Sequence, residues 1–308
     1  MRVVRVTEIE RDIEDLGVGL LQQGGRGRKP YPTDQHLVGD PRSSQVALQG
    51  PSNAHAEQVG GHVDVRIRRL KGMVGVPVIS SLNGVTPGGW LRYARLMEKV
   101  GADALELNVY ALATDAREDA RTLEDRTIEM VREVRRSVRI PLAVKLSPFY
   151  TSFANFAHRL DEAGPAGLVL FNRFWQPGID VEELEVRREL RLSDSCELPL
   201  RLRWLAILSG NVHATLAVTG GVHTVLDVIQ VVMAGAHAVQ MVSALLRHGP
   251  EYLAVVRREL GQWLEEYQYG SLREMRGSMS MRRCPDPQAY ERANYMLMLQ
   301  SGKPVNGA

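Results

Sequence analysis

The sequence is poor in cysteine and shows no pattern of metal ligands. Its two cysteines, Cys196 and Cys284, lie far apart and form no CxxC motif. This argues against a disulfide scaffold or a zinc ribbon and is typical of a reducing compartment. The eight histidines show no HExxH motif or other paired spacing, so we expect no metal site.

Long apolar runs and an excess of charge are also absent. No uninterrupted apolar stretch is long enough to span a membrane, and the first residues contain no apolar segment like that of a signal peptide. We therefore expect a cytoplasmic protein that has no membrane partner. The formal net charge of +2 gives no reason to expect a nucleic-acid partner.

The patterns that are present favour one large α/β domain. The 308 residues, 44% hydrophobic and 24% charged, fit one barrel or two ordinary domains. From Val76 onward strand-like and helix-like patterns alternate, and the strand-like runs begin at Val76, Ala104, Pro141, Gly167, Leu216 and Ala238. Strands joined by helical crossovers predict a parallel sheet. We predict a (β/α)8 TIM barrel over residues 76–308, with helices at its C-terminal end.

Residues 1–75 do not fit this pattern. A complete (β/α)8 barrel needs two strands before Val76, yet residues 22–62 contain one aromatic residue and no sustained periodicity. A loop of that length inside a compact domain argues against a complete barrel. Two hypotheses stay open. Either part of this region is read in the wrong frame or comes from a truncated gene, or it is a disordered, non-catalytic extension.

The segment from Ala214 to Gly249 has the pattern of a phosphate site. One apolar run stops at Thr219-Gly220-Gly221, and after a helical pattern a second run stops at Ser243-Ala244. In a parallel sheet both turns fall at the same edge, where loops of small residues leave backbone N–H groups free for a phosphate. Loops after the last two strands of a (β/α)8 barrel commonly do this. The pattern therefore predicts a phosphorylated ligand.

Lysine is rare in this chain, with 5 lysines against 33 arginines, so Lys145 at the end of an apolar run is informative. A buried ammonium is costly unless an anion lies beside it; the alternative is a lysine that reaches solvent from the strand end. Asn108 and Asn172 end two other strands, and Asn83 follows an earlier one. Each asparagine alone could cap a loop, but together with Lys145 they predict a polar site at neighbouring strand ends.

Six stretches together resemble the family of FMN-dependent dihydroorotate dehydrogenases, in particular its bacterial dihydroorotate dehydrogenase-like branch: VPVISSLNG, GADALELNVY, IPLAVKLSPF, GLVLFNRF, LAVTGGVHT and MVSALLRHGPEYL. The resemblance implies a (β/α)8 barrel with FMN at the C-terminal mouth. It implies that Lys145 contacts the flavin ring near N1 and O2, that Asn108 binds flavin or substrate, and that Asn172 binds substrate. We expect Asn83 to bind substrate as well. The FMN phosphate would lie against Gly220, Gly221, Ser243 and Ala244.

The family oxidises dihydroorotate to orotate, and a base takes the proton from substrate C5 while hydride leaves C6. In the family this base is Cys or Ser, in a loop that commonly reads Asn-x-Ser-Cys-Pro-Asn. Here the loop runs from Asn108 to Thr114, and the aligned residue is Ala111, whose methyl group cannot accept a proton. We therefore expect Tyr110, or less readily Thr114, to act as the acid or base.

These expectations describe an FMN-dependent oxidoreductase acting on a dihydroorotate-like small molecule in pyrimidine biosynthesis. Fumarate, a quinone and NAD all stay open as the oxidant. The resemblance is compatible with a homodimer. Two rival functions also stay open. One is a catalytically impaired barrel that binds flavin or a partner protein, consistent with Ala111. The other is a barrel lyase for a phosphorylated substrate, with Lys145 as a Schiff-base nucleophile.

Overall fold

The computed structural model describes residues 67–83, 87–109, 112–173, 176–187 and 191–291. Ala111, which aligns with the family's base, and Tyr110, expected to act in its place, lie outside the described residues. The N-terminal region up to residue 66 lies outside them too. The boundary at residue 75 and both hypotheses for that region therefore stay predictions. Residues 67–73 are helical, and Lys71 there forms an ion pair with Asp103, with 2.7 Å between Nζ and Oδ2.

Among the described residues, the main sheet has six parallel strands: β1 (Ile79–Leu82), β2 (Ala104–Asn108), β3 (Leu142–Leu146), β4 (Gly167–Leu170), β7 (Thr215–Thr219) and β8 (Ala238–Gln240). They lie side by side in that order. Two short antiparallel strands, β5 (Gly178–Asp180) and β6 (Glu185–Arg187), form a hairpin between β4 and β7. The sequence patterns predicted all six parallel strands, whereas the hairpin inside the polar segment was not expected.

Helices follow the strands: α1 (Pro87–Lys99), α2 (Ala120–Ser137), α3 (Phe153–Asp161), α4 (Leu198–Leu208), α5 (Val225–Ala234), α6 (Ser243–His248), α7 (Tyr252–Glu266), α8 (Leu272–Met275) and α9 (Gln288–Glu291). Local sequence sets the ends of α5. The Thr224 side chain accepts from the backbone N–H of Asp227 at the start, and Gly235 takes a φ of 127° after the last turn. No helix in the described part of the chain is long and apolar enough to cross a membrane.

The two faces of the main sheet differ in chemistry because side chains alternate along each strand. One face carries almost fully buried aliphatic side chains, among them Leu105, Val144, Leu168 and Val218. Apart from Ile79 and Val169, the opposite face carries small and polar side chains. The strand register aligns several of them in pairs: Ser81 with Glu106, Asn108 with Lys145, and Thr219 with Gln240. The aliphatic face packs in the core, so the polar face is the one on which a ligand can bind.

A hydrogen bond across the polar face shows that the sheet is curled. Gln240 Nε2 on β8 donates to Glu106 Oε2 on β2 at 2.7 Å. In a flat sheet these strands, four positions apart, would be separated by about 19 Å, farther than the two side chains can span. The sheet therefore closes part of the way round. The predicted barrel fold is confirmed, as a partial (β/α)8 barrel over the described residues.

The segment after α8 donates hydrogen bonds to the C-terminal ends of α4 and α5. These helix ends lie on the side opposite the carboxyl ends of the strands. The last carbonyls of a helix lack partners within it. Backbone N–H groups of this segment supply them, pairing Gly277 with Val232, Met279 with Met233, and Met281 with Ala206. This part of the chain therefore has a structural role.

The aromatic cluster of α3 gives a prediction for stability. Phe156 is fully buried and stacks on Tyr150, with ring centroids 4.0 Å apart. Phe156→Ala should lower the free energy of unfolding, measured in urea, by about 3–5 kcal/mol because it leaves a cavity. Leu226→Ala is the control, since Leu226 is 58% exposed; its effect should stay within about 0.5 kcal/mol. Equal losses of unfolding free energy in the two variants would contradict the buried position of Phe156.

Candidate active site

Three polar side chains predicted as site residues lie at the ends of neighbouring strands. Asn108 on β2 lies opposite Lys145 on β3, and the backbone N–H of Val109 donates to the Lys145 carbonyl at 3.1 Å. The backbone N–H of Asn172, just after β4, donates to the carbonyl of Leu146 at 2.7 Å. Strand pairing therefore brings Asn108, Lys145 and Asn172 to one edge of the sheet.

Two amide atoms at this edge are buried and lack partners. Asn108 Oδ1 and Asn172 Nδ2 are shielded from solvent, and neither has a hydrogen-bond partner among the described residues. A buried polar atom left in this way costs about 1–3 kcal/mol. One of the two atoms is an acceptor and the other a donor. They therefore indicate a ligand that both donates and accepts hydrogen bonds.

Lys145 is held by a carboxylate that sequence reasoning missed. Its Nζ lies 2.6 Å from Glu106 Oε1, and the two side chains are 16% and 7% exposed. Gln240 donates to the second carboxylate oxygen, and Ser81 Oγ lies 3.4 Å from the first. A signal for Glu106 was available, because it stands two residues before Asn108 and so shares its face of the strand. Gln240 gave none, since 134 residues separate it from Glu106.

Asn83 and Tyr110 were also predicted as substrate-binding and catalytic residues. Asn83 is exposed and directly follows β1, which pairs with β2. It therefore lies at the same edge of the sheet as Asn108. Tyr110 lies outside the described residues, so its role as acid or base stays a prediction.

Two consecutive glycines follow β7 in a conformation that other residues rarely adopt. Gly220 and Gly221 have φ values of 78° and 79°, which only glycine takes readily. A Cβ at Gly221 would lie 2.8 Å from the backbone nitrogen of Leu198, and one at Gly220 would lie 2.7 Å from Arg201 Nη2. Both conformation and space therefore require glycine at this corner.

The other two predicted phosphate residues follow the adjacent strand. β8 pairs with β7, and Ser243 and Ala244 begin α6 shortly after it. The Ser243 hydroxyl accepts from the backbone N–H of Ser193 at 3.2 Å, and Ala244 is fully buried. The four predicted phosphate residues, all of them small, thus lie after the carboxyl ends of two adjacent strands: the two glycines in the loop after β7, and Ser243 and Ala244 at the start of α6.

Arg201 stabilises the turn formed by Gly220 and Gly221, which we call the glycine corner. Its Nε donates to the Thr219 carbonyl at 2.6 Å and its Nη1 to the Glu197 carbonyl at 2.7 Å. The Glu197 carboxylate lies 3.5 Å from Nη2 of this side chain, which is 5% exposed. Burial lowers the pKa of the Arg201 guanidinium, and the charge of Glu197 opposes that effect. A buried guanidinium paired with Glu197 therefore lies against Gly220.

His223 links this corner to the segment before α4. Ser193 Oγ lies 3.2 Å from His223 Nε2, and Asp227 Oδ2 accepts from both Ser195 Oγ and the backbone N–H of His223. Burial, and then the positive charge of Arg247, lower the pKa of His223 below its ordinary value. The fold therefore favours the neutral imidazole here.

A separate cavity of about 440 Å³ is lined, among the described residues, by Ser271, Leu272, Arg273 and Arg276. The next residue, Gly277, donates to a carbonyl at the C-terminal end of α5. That end of the helix lies opposite the carboxyl ends of the strands. The cavity is therefore distinct from the polar site at the strand ends.

The polar edge and the glycine corner together suit a ligand that has a flat, hydrogen-bonding ring and a phosphate. The edge offers an ammonium and two amides, and the corner offers backbone N–H groups beside a buried guanidinium. Within the ranges that the structure describes, no three His, Cys, Asp or Glu side chains lie close enough together to hold a metal ion.

Gly221→Ala tests the glycine corner. The new methyl group would meet the backbone of Leu198 at a positive φ, so we expect a loss of about 1–3 kcal/mol in the free energy of unfolding. Gly261→Ala is the control, because Gly261 lies within α7 and has no atom within 4 Å of the new methyl group. It should stabilise the protein by about 0.5–1 kcal/mol. Stabilisation by both variants, measured in urea, would contradict the geometry.

His223→Gln tests the buried imidazole. Because the folded-state pKa of His223 is lowered, its contribution to stability is present above about pH 6.5 and is lost as the pH falls through the folded pKa. The variant should therefore lose less unfolding free energy than the wild type between about pH 7 and pH 5. If His223→Gln keeps the wild-type slope, the assignment is wrong.

Comparison with known proteins identifies the family. The family model for dihydroorotate dehydrogenase matches residues 48–264, so the match begins upstream of the boundary predicted at residue 75. The catalytic subunit of dihydroorotate dehydrogenase B (NAD(+)) from Desulforudis audaxviator is 33% identical over 211 residues, which cover 66% of this chain and 67% of the relative.

Two archaeal relatives carry the same name. The protein from Methanothermobacter thermautotrophicus is 29% identical over 209 residues, covering 66% of this chain and 68% of its own. The protein from Thermoplasma volcanium is 25% identical over 268 residues, covering 84% of this chain and 83% of its own. Since the family model spans all six strands of the curled sheet, this chain belongs to the dihydroorotate dehydrogenase family.

Proposed function

We propose that this protein is an FMN-dependent oxidoreductase that oxidises dihydroorotate to orotate, or that oxidises a closely similar small molecule in the same way. The proposal rests on the position of Lys145, Asn108 and Asn172, which lie at one edge of the curled sheet. Two amide atoms there are buried and have no hydrogen-bond partner among the described residues. Membership of the family and the names of the relatives support it.

The described residues fit FMN at both of its ends. Lys145 and Asn108 would hold the ring, since an ammonium and an amide can pair with its polar edge. The phosphate would bind to the two loops of small residues beside Arg201, formed by Gly220, Gly221, Ser243 and Ala244. A Cβ at Gly220 would meet the Arg201 side chain, and one at Gly221 the backbone of Leu198. Both positions therefore need glycine, whose backbone N–H groups a phosphate can approach closely.

Bound FMN would supply the two-electron acceptor that side chains lack. The chain's own residues then bind and orient the substrate, and we propose Asn172 and Asn83 for contacts to its carboxylate and ring amides. The proton that leaves the substrate carbon needs an acceptor within hydrogen-bond reach. We propose Tyr110, because the aligned Ala111 cannot accept a proton; both lie outside the described residues.

A catalytically impaired barrel that still binds flavin is the second candidate, and Ala111 favours it. Loss of a general base commonly slows a reaction by about 10²–10⁴-fold. The lyase is disfavoured. The Glu106 carboxylate lies 2.6 Å from Lys145 Nζ, and a carboxylate stabilises an ammonium, whereas a Schiff-base nucleophile must be a neutral amine.

The names of the relatives also bear on the electron acceptor. Several are catalytic subunits of NAD(+)-dependent enzymes, so we propose NAD⁺ ahead of fumarate or a quinone, with a second subunit as partner. We further propose that the protein is cytoplasmic, forms a homodimer and serves pyrimidine biosynthesis.

A visible spectrum followed by anaerobic addition of dihydroorotate tests the proposed function. We expect the purified protein, once loaded with FMN, to retain the yellow cofactor through gel filtration and to lose its flavin absorbance when dihydroorotate is added. Retained flavin that dihydroorotate does not bleach would favour the impaired barrel. A protein that stays colourless after loading would contradict both candidates.

Lys145→Met tests the proposed contact to the ring. Loss of charge-assisted hydrogen bonds should weaken FMN binding by about 10–100-fold, measured by quenching of flavin fluorescence. Lys99→Met is the matched control, because Lys99 is exposed at the end of α1, and it should bind FMN as the wild type does. Equal affinities for all three proteins would contradict the assigned role of Lys145.

A further inference from the structure

The floor of the polar site contains a carboxylate with both oxygens engaged. Glu106 Oε1 accepts from Lys145 Nζ at 2.6 Å, and Oε2 accepts from Gln240 Nε2 at 2.7 Å. The Ser81 hydroxyl lies 3.4 Å from Oε1. Groups from β1, β3 and β8 therefore hold one side chain of β2, so the carboxylate has a fixed position.

Among the described strand residues, this carboxylate and Lys145 are the charged side chains of the polar face. The residues that the register aligns with them are uncharged: Ser81 and Ala143 beside Glu106, and Asn108 and Val169 beside Lys145. With 7% and 16% of their side chains exposed, the two groups lie where water screens charge poorly. A group bound at the strand ends would therefore experience a nearly neutral pair, not an isolated cation.

The Lys145 ammonium also has hydrogen-bond donors available for a ligand. An ammonium has three donors, and among the residues that the structure describes it donates to Glu106 alone. Asn108, which the register places opposite Lys145, has its Oδ1 buried without a partner in the same set of residues. The lysine can therefore contact a ligand while it keeps its carboxylate partner.

We propose that Glu106 tunes the redox potential of the bound flavin by offsetting the charge of Lys145. This inference rests on the proposed FMN site. Two-electron reduction of a flavin with uptake of one proton adds one negative charge to its ring, and nearby protein charges set how readily this happens. Lys145 favours the reduced ring, and Glu106 opposes that effect. The reduced flavin therefore stays a good electron donor to the oxidant.

Glu106→Gln tests this directly, because glutamine has the same shape, can accept from Lys145 and lacks the charge. We expect the ratio of the dissociation constants for oxidised and reduced FMN to rise about tenfold, which raises the midpoint potential by about 30 mV. The potential is measured against a reference dye at saturating FMN. Glu106→Asp, which keeps the charge, should stay near the wild type.

Glu124→Gln is the matched control. Glu124 is also a buried carboxylate, with Arg159 Nη1 at 2.8 Å, but it lies on α2. The variant loses an ion pair without changing the charge at the strand ends, so its potential should be that of the wild type. A potential unchanged or lowered in Glu106→Gln, or raised equally in Glu124→Gln, would overturn the proposal.

If Glu106→Gln does not fold, the tuning role of Glu106 is tested by comparing Lys145→Met with the double variant Lys145→Met plus Glu106→Gln. Lys145→Met leaves the carboxylate facing the flavin alone, so the midpoint potential should fall. Adding Glu106→Gln removes the whole ion pair, a change that proteins often tolerate, and the potential should rise again by about 30 mV, or tenfold in the same ratio. Equal potentials in the single and double variants would mean that the charge of Glu106 does not reach the flavin.

Failure of this inference can be told apart from failure of the proposed function. If the wild type takes up no FMN, both fail. If it binds FMN but the potential does not respond to Glu106, the flavin site stands and the tuning role is wrong.

Discussion

The carboxylate of Glu106 joins strands that a flat sheet would hold far apart. It binds Lys145 on the adjacent β3 and Gln240 on the distant β8, so one side chain spans the curled sheet and fixes the position of the lysine. A buried ion pair of this kind contributes little net stability but is costly to break. Its effect is to hold the ammonium at one place on the polar face.

The site follows from the difference between the two faces of the sheet. Aliphatic side chains such as Leu107 and Val144 are fully buried on one face, which leaves the polar groups to the other. Because all six strands run parallel, their carboxyl ends meet at one edge. The same edge carries the amides of Asn108 and Asn172 and the loop of Gly220, so ring and phosphate contacts can belong to one ligand.

Sequence patterns predicted the strands, the glycine corner and the polar strand ends because each depends on neighbouring residues. The end of an apolar run at Thr219, followed by Gly220 and Gly221, marks where β7 stops. Lys145 is conspicuous because it lies in an apolar run. The contact between Glu106 and Gln240 depends on strand order and curl across 134 residues, which no local pattern contains. Arg201 was missed for a similar reason, since its role becomes visible only when α4 packs against the loop after β7.

The most direct test of the proposed site is a crystal structure of the protein loaded with FMN. The flavin ring should lie beside Lys145 and Asn108, with the phosphate against the backbone of Gly220 and Gly221 and with Lys145 still paired with Glu106. A ring bound elsewhere, or a lysine turned away from both Glu106 and the flavin, would contradict the site.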